Sequence, residues 1–427
     1  MPKTPPPSMR RPGVISRNGV RRREWMGLHG LGGSYSGLLH IPAIALGLLL
    51  DSYDSPEDAM TRDTDAIRVG LIGYGFAGTT FHGPLLRTVP GLKVTVVGST
   101  RRDAVLADFP NAMVCSAEDV TTHPNVDLVV VATPNDSHFP LAAAALRAGK
   151  DVVVDKPFTV TLADARELVR IARENNRLLS VFQNRRWYSE VLATKAVLQS
   201  GVLGDVVHYE CHMDRFRPEV RQRWRENPGV GAGLWFDLGP HLIDQALHLF
   251  GMPHSVNANF AIQREGGQTD DWAHVQLNYD RLRVVMQASL LVAWGNGASG
   301  GPRSALHGTR ASWAKFGGDV QEAQLMAGML PDAPGFGVDT DPGVLYYGAT
   351  GEETEIPAPI GDQRPYYAGV RDAILERRPA PISGEHGVAV MAILEASFES
   401  GRLGRVLPIP LTPEEREAWG LANAVVR

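Results

Sequence analysis

Two cysteines in 427 residues, Cys115 and Cys211, far apart and with no C-x-x-C partner, leave no disulfide framework and no cysteine-based metal site to build on. Their scarcity fits a reducing compartment, and the expected location is cytoplasmic. An excess of one charge is also missing. Against 42 Lys and Arg stand 47 Asp and Glu, spread along the chain for a net −5, so nothing favours nucleic acid or an acidic membrane surface as a partner. No apolar run reaches the roughly 20 residues of a membrane span. No repeat of roughly 20–50 residues occurs. His208 and His212 flank Cys211 on one strand, but that pattern suits surface or core placement better than a metal, and none is expected.

What is present is ordinary for a soluble globular protein, 44% apolar and 21% charged, at a length that supports two domains. Residues 1–59 differ in texture: Pro- and Arg-rich text leads into the apolar stretch Leu38–Leu50, which His40 and Pro42 interrupt. Arg22-Arg23 ahead of an apolar segment loosely resembles a twin-arginine export leader, but no small-x-small cleavage site follows. The favoured expectation is a disordered extension or a start codon placed too early. Met60 then opens a short polar lead into a strand.

From Ile67 strands and helices alternate. Ile67–Ile72, Lys93–Gly98, Val126–Ala132, Asp151–Val154 and Leu178–Phe182 are short apolar or β-branched runs, the pattern of buried parallel strands. Leu141–Ala148 is an Ala-rich helix stopped by Gly149, and Thr161–Asn176 is a helix with a Thr161/Asp164 capping box. Past Gln183 come strand-like segments in succession (Val206–Asp214, Val256–Ile262, Ala273–Tyr279, Arg283–Leu291), which predict one large, mostly antiparallel sheet. Residues 331–361 read mostly as loop, and helices near Tyr366–Arg377 and Glu385–Ser400 close the chain. The expected division is a dinucleotide-binding domain over 66–184, a substrate and oligomerisation domain over 185–410, and a tail over 411–427.

Gly73-Tyr74-Gly75-Phe76-Ala77-Gly78 is G-x-G-x-x-G between a strand and a helix. In that context it is a dinucleotide fingerprint: one glycine for the turn, one for the approach of the pyrophosphate, one for helix–strand packing. An NAD site usually carries an acid about 20 residues on, for the ribose 2′-hydroxyl. Here the second strand ends in Ser99-Thr100-Arg101-Arg102, hydroxyls and guanidiniums suited to a 2′-phosphate. NADP(H) is therefore expected over NAD(H).

Farther on stand Thr133-Pro134-Asn135-Asp136-Ser137-His138, Gly149-Lys150 and Asp155-Lys156-Pro157, and then Gly231-Ala-Gly233-Leu-Trp-Phe-Asp237-Leu-Gly-Pro-His241-Leu-Ile-Asp244. Read alone, the last segment puts Pro240 in the first turn of a helix, with Asp237 and His241 together near its N-terminus. The partial positive charge there would keep His241 neutral, and the nearby carboxylate would push the other way. In these motifs the chain resembles the family of glucose-fructose oxidoreductase, inositol dehydrogenase and MocA, with Asp155 where that family usually has Glu. The resemblance implies an α/β protein, an N-terminal Rossmann domain followed by an α/β domain with a large open antiparallel sheet. It implies His241 as acid/base, Asp237 as its orienter or a substrate ligand, and Lys156 as a cation polarising the substrate oxygen. Thr133, Pro134, Asn135, His138, Asp155, Lys156 and Pro157 would line the cofactor.

Asn184-Arg185-Arg186-Trp187-Tyr188 is similar to a substrate-side segment of one subgroup, so Arg185 and Trp187 are candidate polyol contacts. Phe81-His82 and the segment from Trp313 and Lys315 to Gln321-Glu322 resemble the same subgroup, which includes NADP-dependent scyllo-inositol dehydrogenases. The expected function is hydride transfer between NADP(H) and a secondary hydroxyl of a cyclitol or sugar, in a homo-oligomer paired through its open sheet. Two alternatives share the fold: a cofactor-sensing regulator without turnover, and an NAD-dependent glycosidase.

Overall fold

The computed structural model describes residues 66–296 and 301–424. Both expectations for residues 1–59 fall outside them.

The first half builds a six-stranded sheet from β1 (Ile67–Ile72), β2 (Leu92–Gly98), β3 (Met113–Cys115), β4 (Leu128–Val131), β5 (Asp151–Asp155) and β6 (Leu179–Phe182). All pairs are parallel and the order is 3-2-1-4-5-6, the Rossmann arrangement. Its strands are Val- and Leu-rich because helices cover both faces; every residue of β4 is buried. Between the strands run α1 (Gly83–Thr88), α2 (Arg102–Asp108), α3 (Ala117–Thr122), α4 (His138–Arg147) and α5 (Leu162–Glu174). The Thr161 side chain caps α5 by accepting from the Asp164 N–H, as its capping box predicts. The three-residue edge strand β3 is not legible in the sequence.

A 3-10 turn, Asn184–Trp187, leads into α6 (Ser189–Ser200) and the second sheet. Its strands are β7 (Val206–Asp214), β8 (Ser255–Ala261), β9 (Trp272–Asn278), β10 (Arg283–Ser289), β11 (Pro302–Gly308), β12 (Ala311–Phe316), β13 (Gly343–Tyr347), β14 (Glu353–Ile356) and β15 (Leu407–Pro408). They lie in the order 14-13-12-11-7-10-9-8-15. The sheet is antiparallel except where β7 and β10 run parallel. Residues 331–361 are mostly loop, as expected, with the hairpin β13–β14 set within them. These strands are short, lie at one edge and stand among Gly, Pro and Asp, so turn chemistry hides them.

One face of the sheet carries the core, on β7 Tyr209, Cys211 and Met213. The opposite face presents His208, Glu210, His212 and Asp214. The core face is covered by α7 (Leu234–Phe250) and α10 (Gly384–Leu403), joined where the Trp235 indole donates to Ser397 at 2.8 Å. The remaining helices are α8 (Gln321–Met326), α9 (Arg364–Glu376) and α11 (Pro413–Ala424). The stretch from 411, expected as a tail, thus carries a helix with Trp419 buried and Glu415 paired to Arg166 at 2.6 Å. The C-terminal helices return to the first domain: Val181 N–H donates to Ile382, and the Ser180 and Tyr366 hydroxyls lie 2.9 Å apart.

Candidate active site

Parallel strands present their carboxyl ends along one edge, so the loops after β1, β2, β4 and β5 meet there. Gly73 ends β1 at φ +96°, and a Cβ on it would stand 2.4 Å from the Ala132 carbonyl. A Cβ on Gly78 would lie 2.1 Å from the Gly73 carbonyl, while one on Gly75 would meet nothing within 4 Å. The turn and the close packing therefore belong to Gly73 and Gly78, and the open cradle to Gly75, which is where a pyrophosphate needs backbone access. The helix after the fingerprint begins with a π-helical turn, Gly78–His82, before α1. Tyr74 is buried with its hydroxyl on Asp108, whereas Phe76 is exposed.

At the end of β2 the Ser99 hydroxyl accepts from the Arg101 N–H at 3.0 Å. Thr100, Arg101 and Arg102 are exposed, and among the described residues no carboxylate pairs with either guanidinium. After β4, Thr133 and Pro134 lie open at the rim, while buried Asn135 donates to the Gly231 carbonyl of the second domain at 3.3 Å. His138 is enclosed, its nitrogens 2.9 Å from the carbonyls of Thr133 and Pro157. It ties two cofactor-side loops together. Burial pushes its pKa down, and a neutral ring can donate to only one of the two carbonyls at a time.

After β5, the Asp155 carboxylate accepts from the Lys156 N–H at 2.7 Å and stands 3.6 Å from the His82 ring. Burial alone would raise its pKa, but His82 and Lys156 more than offset that. The Lys156–Pro157 peptide is cis, and Lys156 reaches across to the second domain. Its Nζ donates to the Asp237 carbonyl at 3.0 Å and to its carboxylate at 3.1 Å.

Asp237 and His241 occupy successive turns of α7, but the helix begins at Leu234, not at Pro240. Pro240 lies inside it, and His241 stands beyond the first turn, where the helix dipole has faded. The expected source of a neutral imidazole is thereby corrected. Burial comes first, followed by the cations Lys156, Arg185, Arg303 and Arg215, and together they hold His241 well below its ordinary pKa. Its Nδ1 is buried with no protein partner. Asp237 moves the same way for another reason: burial opposes ionisation, but Lys156, Arg225 and Arg215 keep it a carboxylate. Cation, carboxylate and neutral imidazole can together polarise an oxygen and exchange its proton.

Arg185 is buried against Tyr188, with Glu322 at 3.4 Å and Nε lacking a partner. Trp187 packs edge-on against Tyr366. Arg215, Arg225 and Arg303, which surround Asp237 and His241, are not foreseen from sequence; only strand alternation continued past Asp214 would have found the first. Among the described residues, no group of three or more His, Cys, Asp and Glu could hold a metal ion. No helix there is long and apolar enough to cross a membrane.

Comparison with known proteins bears on this geometry. Residues 67–183 match the oxidoreductase family's NAD-binding Rossmann fold and residues 195–411 its C-terminal alpha/beta domain, the Gfo/Idh/MocA pair. The chain belongs to this oxidoreductase family. It is 46% identical over 344 residues to the uncharacterised oxidoreductase YdgJ of Escherichia coli, covering 79% of this chain and 97% of that one. It is 38% identical over 354 residues to the scyllo-inositol 2-dehydrogenase (NADP(+)) IolW of Bacillus subtilis, covering 81% and 97%. A solved oxidoreductase-fold structure from Klebsiella pneumoniae superposes with TM-score 0.77 at 47% identity, covering 84% and 99%. The protein is an oxidoreductase with a nucleotide-binding Rossmann domain.

Proposed function

We propose that this oxidoreductase transfers a hydride between NADP(H) and a secondary hydroxyl of a cyclitol or sugar. The observation that carries the reading is the convergence of Lys156, Asp237 and His241 beside the cofactor-side loops. The nicotinamide, when bound, supplies the hydride acceptor or donor. Gly73, Gly75 and Gly78 would hold its pyrophosphate, with Thr133, Pro134, Asn135, Asp155 and Pro157 around the remainder. The substrate hydroxyl lies against Lys156, whose charge stabilises developing alkoxide. His241 takes the proton, and Asp237 orients Lys156 and the substrate. Arg185 contributes a further polar contact. The similarity to IolW favours a cyclitol. A regulator without turnover has less support, because Lys156, Asp237 and His241 are all present in the chain.

Preference for NADP(H) rests on the open guanidiniums at the end of β2. A charged hydrogen bond from one of them to a 2′-phosphate favours NADP(H) by about 10–100-fold. Inositols, hexoses and their keto forms assayed with both cofactors test substrate class and preference together. Arg101→Ala is expected to raise KM for NADP(H) while leaving NAD(H) activity nearly unchanged. Better kinetics with NAD(H) in the unmodified protein would defeat the assignment.

A cytoplasmic setting suits the free thiols Cys115 and Cys211. The open face of the second sheet, with its half-buried polar row, is proposed as the surface through which copies pair. Sedimentation should then show a dimer or higher state, and His212→Glu should weaken it; a monomer at micromolar concentration would refute the pairing.

A further inference from the structure

β7 does not stop contributing at Asp214. The Arg215 N–H donates to Ser289 at 2.8 Å, the Arg217 N–H to Leu290 at 2.7 Å, and Phe216 bridges to Leu291. The chain therefore remains extended beside β10, and side chains keep alternating. Phe216 falls on the outer side, where it is 42% exposed. Arg215 and Arg217 continue the row of Tyr209, Cys211 and Met213, on the side that α7 covers. Arg215 lines the same small cavity as Asp237.

Around the site most cations already have partners. Lys156 and Arg225 share Asp237, at 3.1 and 3.6 Å. Arg185 faces Glu322 at 3.4 Å, and Arg303 faces Glu190 at 3.3 Å. Arg223 and Arg264 both take Glu226. Arg215 and Arg217 pair with no carboxylate among the described residues. Burial, with Arg217 and Arg185 nearby, pushes Arg215 down to about 10, so it is still charged at neutral pH. Asp237 and Glu322 act on Arg215 only from beyond ion-pair distance, and Asp237 is already shared by Lys156 and Arg225, so these half-buried guanidiniums favour a further anion beside them. Residues two apart on one strand face have Cα atoms about 6–7 Å apart, and long arginine side chains from such positions can converge on a single carboxylate or phosphate.

We infer that the substrate carries an anionic group, a carboxylate or a phosphate, and that Arg215 and Arg217 bind it while its hydroxyl lies at Lys156 and His241. The inference deepens the oxidoreductase reading and rests on it. A hexuronate, an aldonate or a phosphorylated sugar or cyclitol has this chemistry; the parent inositol or hexose does not.

The test compares glucuronate, gluconate, glucose 6-phosphate and inositol 1-phosphate with neutral glucose and myo-inositol, using NADP⁺. The expected result is kcat/KM at least about tenfold higher for a charged compound than for its neutral parent. Among the charged compounds, the better class separates carboxylate from phosphate. In Arg215→Met and the Arg215→Met/Arg217→Met double variant, the charged-to-neutral ratio should fall towards one. Binding is read separately, as the rise in melting temperature of the NADPH complex with millimolar gluconate or glucose 6-phosphate. The wild type should respond and the folded double variant should not. Preference for neutral substrates, or no response to either anion, overturns the proposal and leaves the oxidoreductase reading standing. A matching loss of NADPH affinity in the double variant also overturns it, because the pair would then serve the cofactor. Anion binding without turnover of any compound supports the arginine site and counts against the hydroxyl-oxidation reading.

Discussion

Replacing His241 by alanine is expected to lower kcat for alcohol oxidation by about 10²–10⁴-fold, the usual contribution of a positioned base. The affinity for cofactor should stay near that of the wild type, because the glycine loop and the ends of β2 and β4 are untouched. The pH profile supplies a second reading. Burial and then the surrounding cations hold His241 below its ordinary range, so in the wild type the acid limb of kcat/KM for oxidation should fall below pH ~6.5. Falling pH protonates the base and stops the reaction, and a depressed pKa delays that loss to lower pH. Lys156→Ala removes the cation that most depresses the imidazole, and the limb should move upward as turnover drops. Stopped-flow and steady-state rates with the best substrate decide the matter. Turnover within threefold of wild type in both variants would remove the acid/base assignment and restore the regulator reading.

A large stability effect is expected from Asp244, one turn beyond His241 on α7. Asp244 is 1% exposed and Arg186, its ion-pair partner at 2.8 Å, is 4% exposed. The His386 Nε2 lies 2.7 Å from the same carboxylate. The same Nε2 lies 2.7 Å from the Arg186 guanidinium, and the Trp419 indole donates to His386 Nδ1 at 3.2 Å. One carboxylate thereby joins the end of the first domain, α7, α10 and α11. Burial alone would protonate it, but Arg186 and His386 hold it well below the usual carboxylate range. Removing it strands a buried guanidinium, and breaking such a pair costs about 3–5 kcal/mol. Asp244→Ala should lower the urea midpoint accordingly and loosen the helix that carries Asp237 and His241. A change below about 1 kcal/mol would show that the guanidinium finds water or another partner.

Much of the first domain was legible because its information is local. A Val-rich strand, a glycine fingerprint and a helix recur in one order, and each is set by neighbours in sequence. The second domain was less so. Its strands β11 to β14 stand among Gly, Pro, Ser and Asp, whose turn signals mask them, and β13 and β14 are also only five and four residues long. The reading of α7 shows the same limit. Pro240 suggested a helix start, yet buried packing of Trp235, Phe236 and Leu238 against the core carries the helix through it.

The sequence by itself determined the nucleotide-binding fold, the three site residues worth testing and the absence of an acid at the end of β2. Those depend on residue type and spacing along the chain. Only the tertiary structure decided that burial among cations disfavours a charged His241, that Asp237 locks onto Lys156, and that Arg215 lines the cavity of Asp237 with no ion-paired carboxylate among the described residues. Each is an electrostatic property of groups that the fold brings together, Lys156 and Asp237 from 81 residues apart, and charge acts through space.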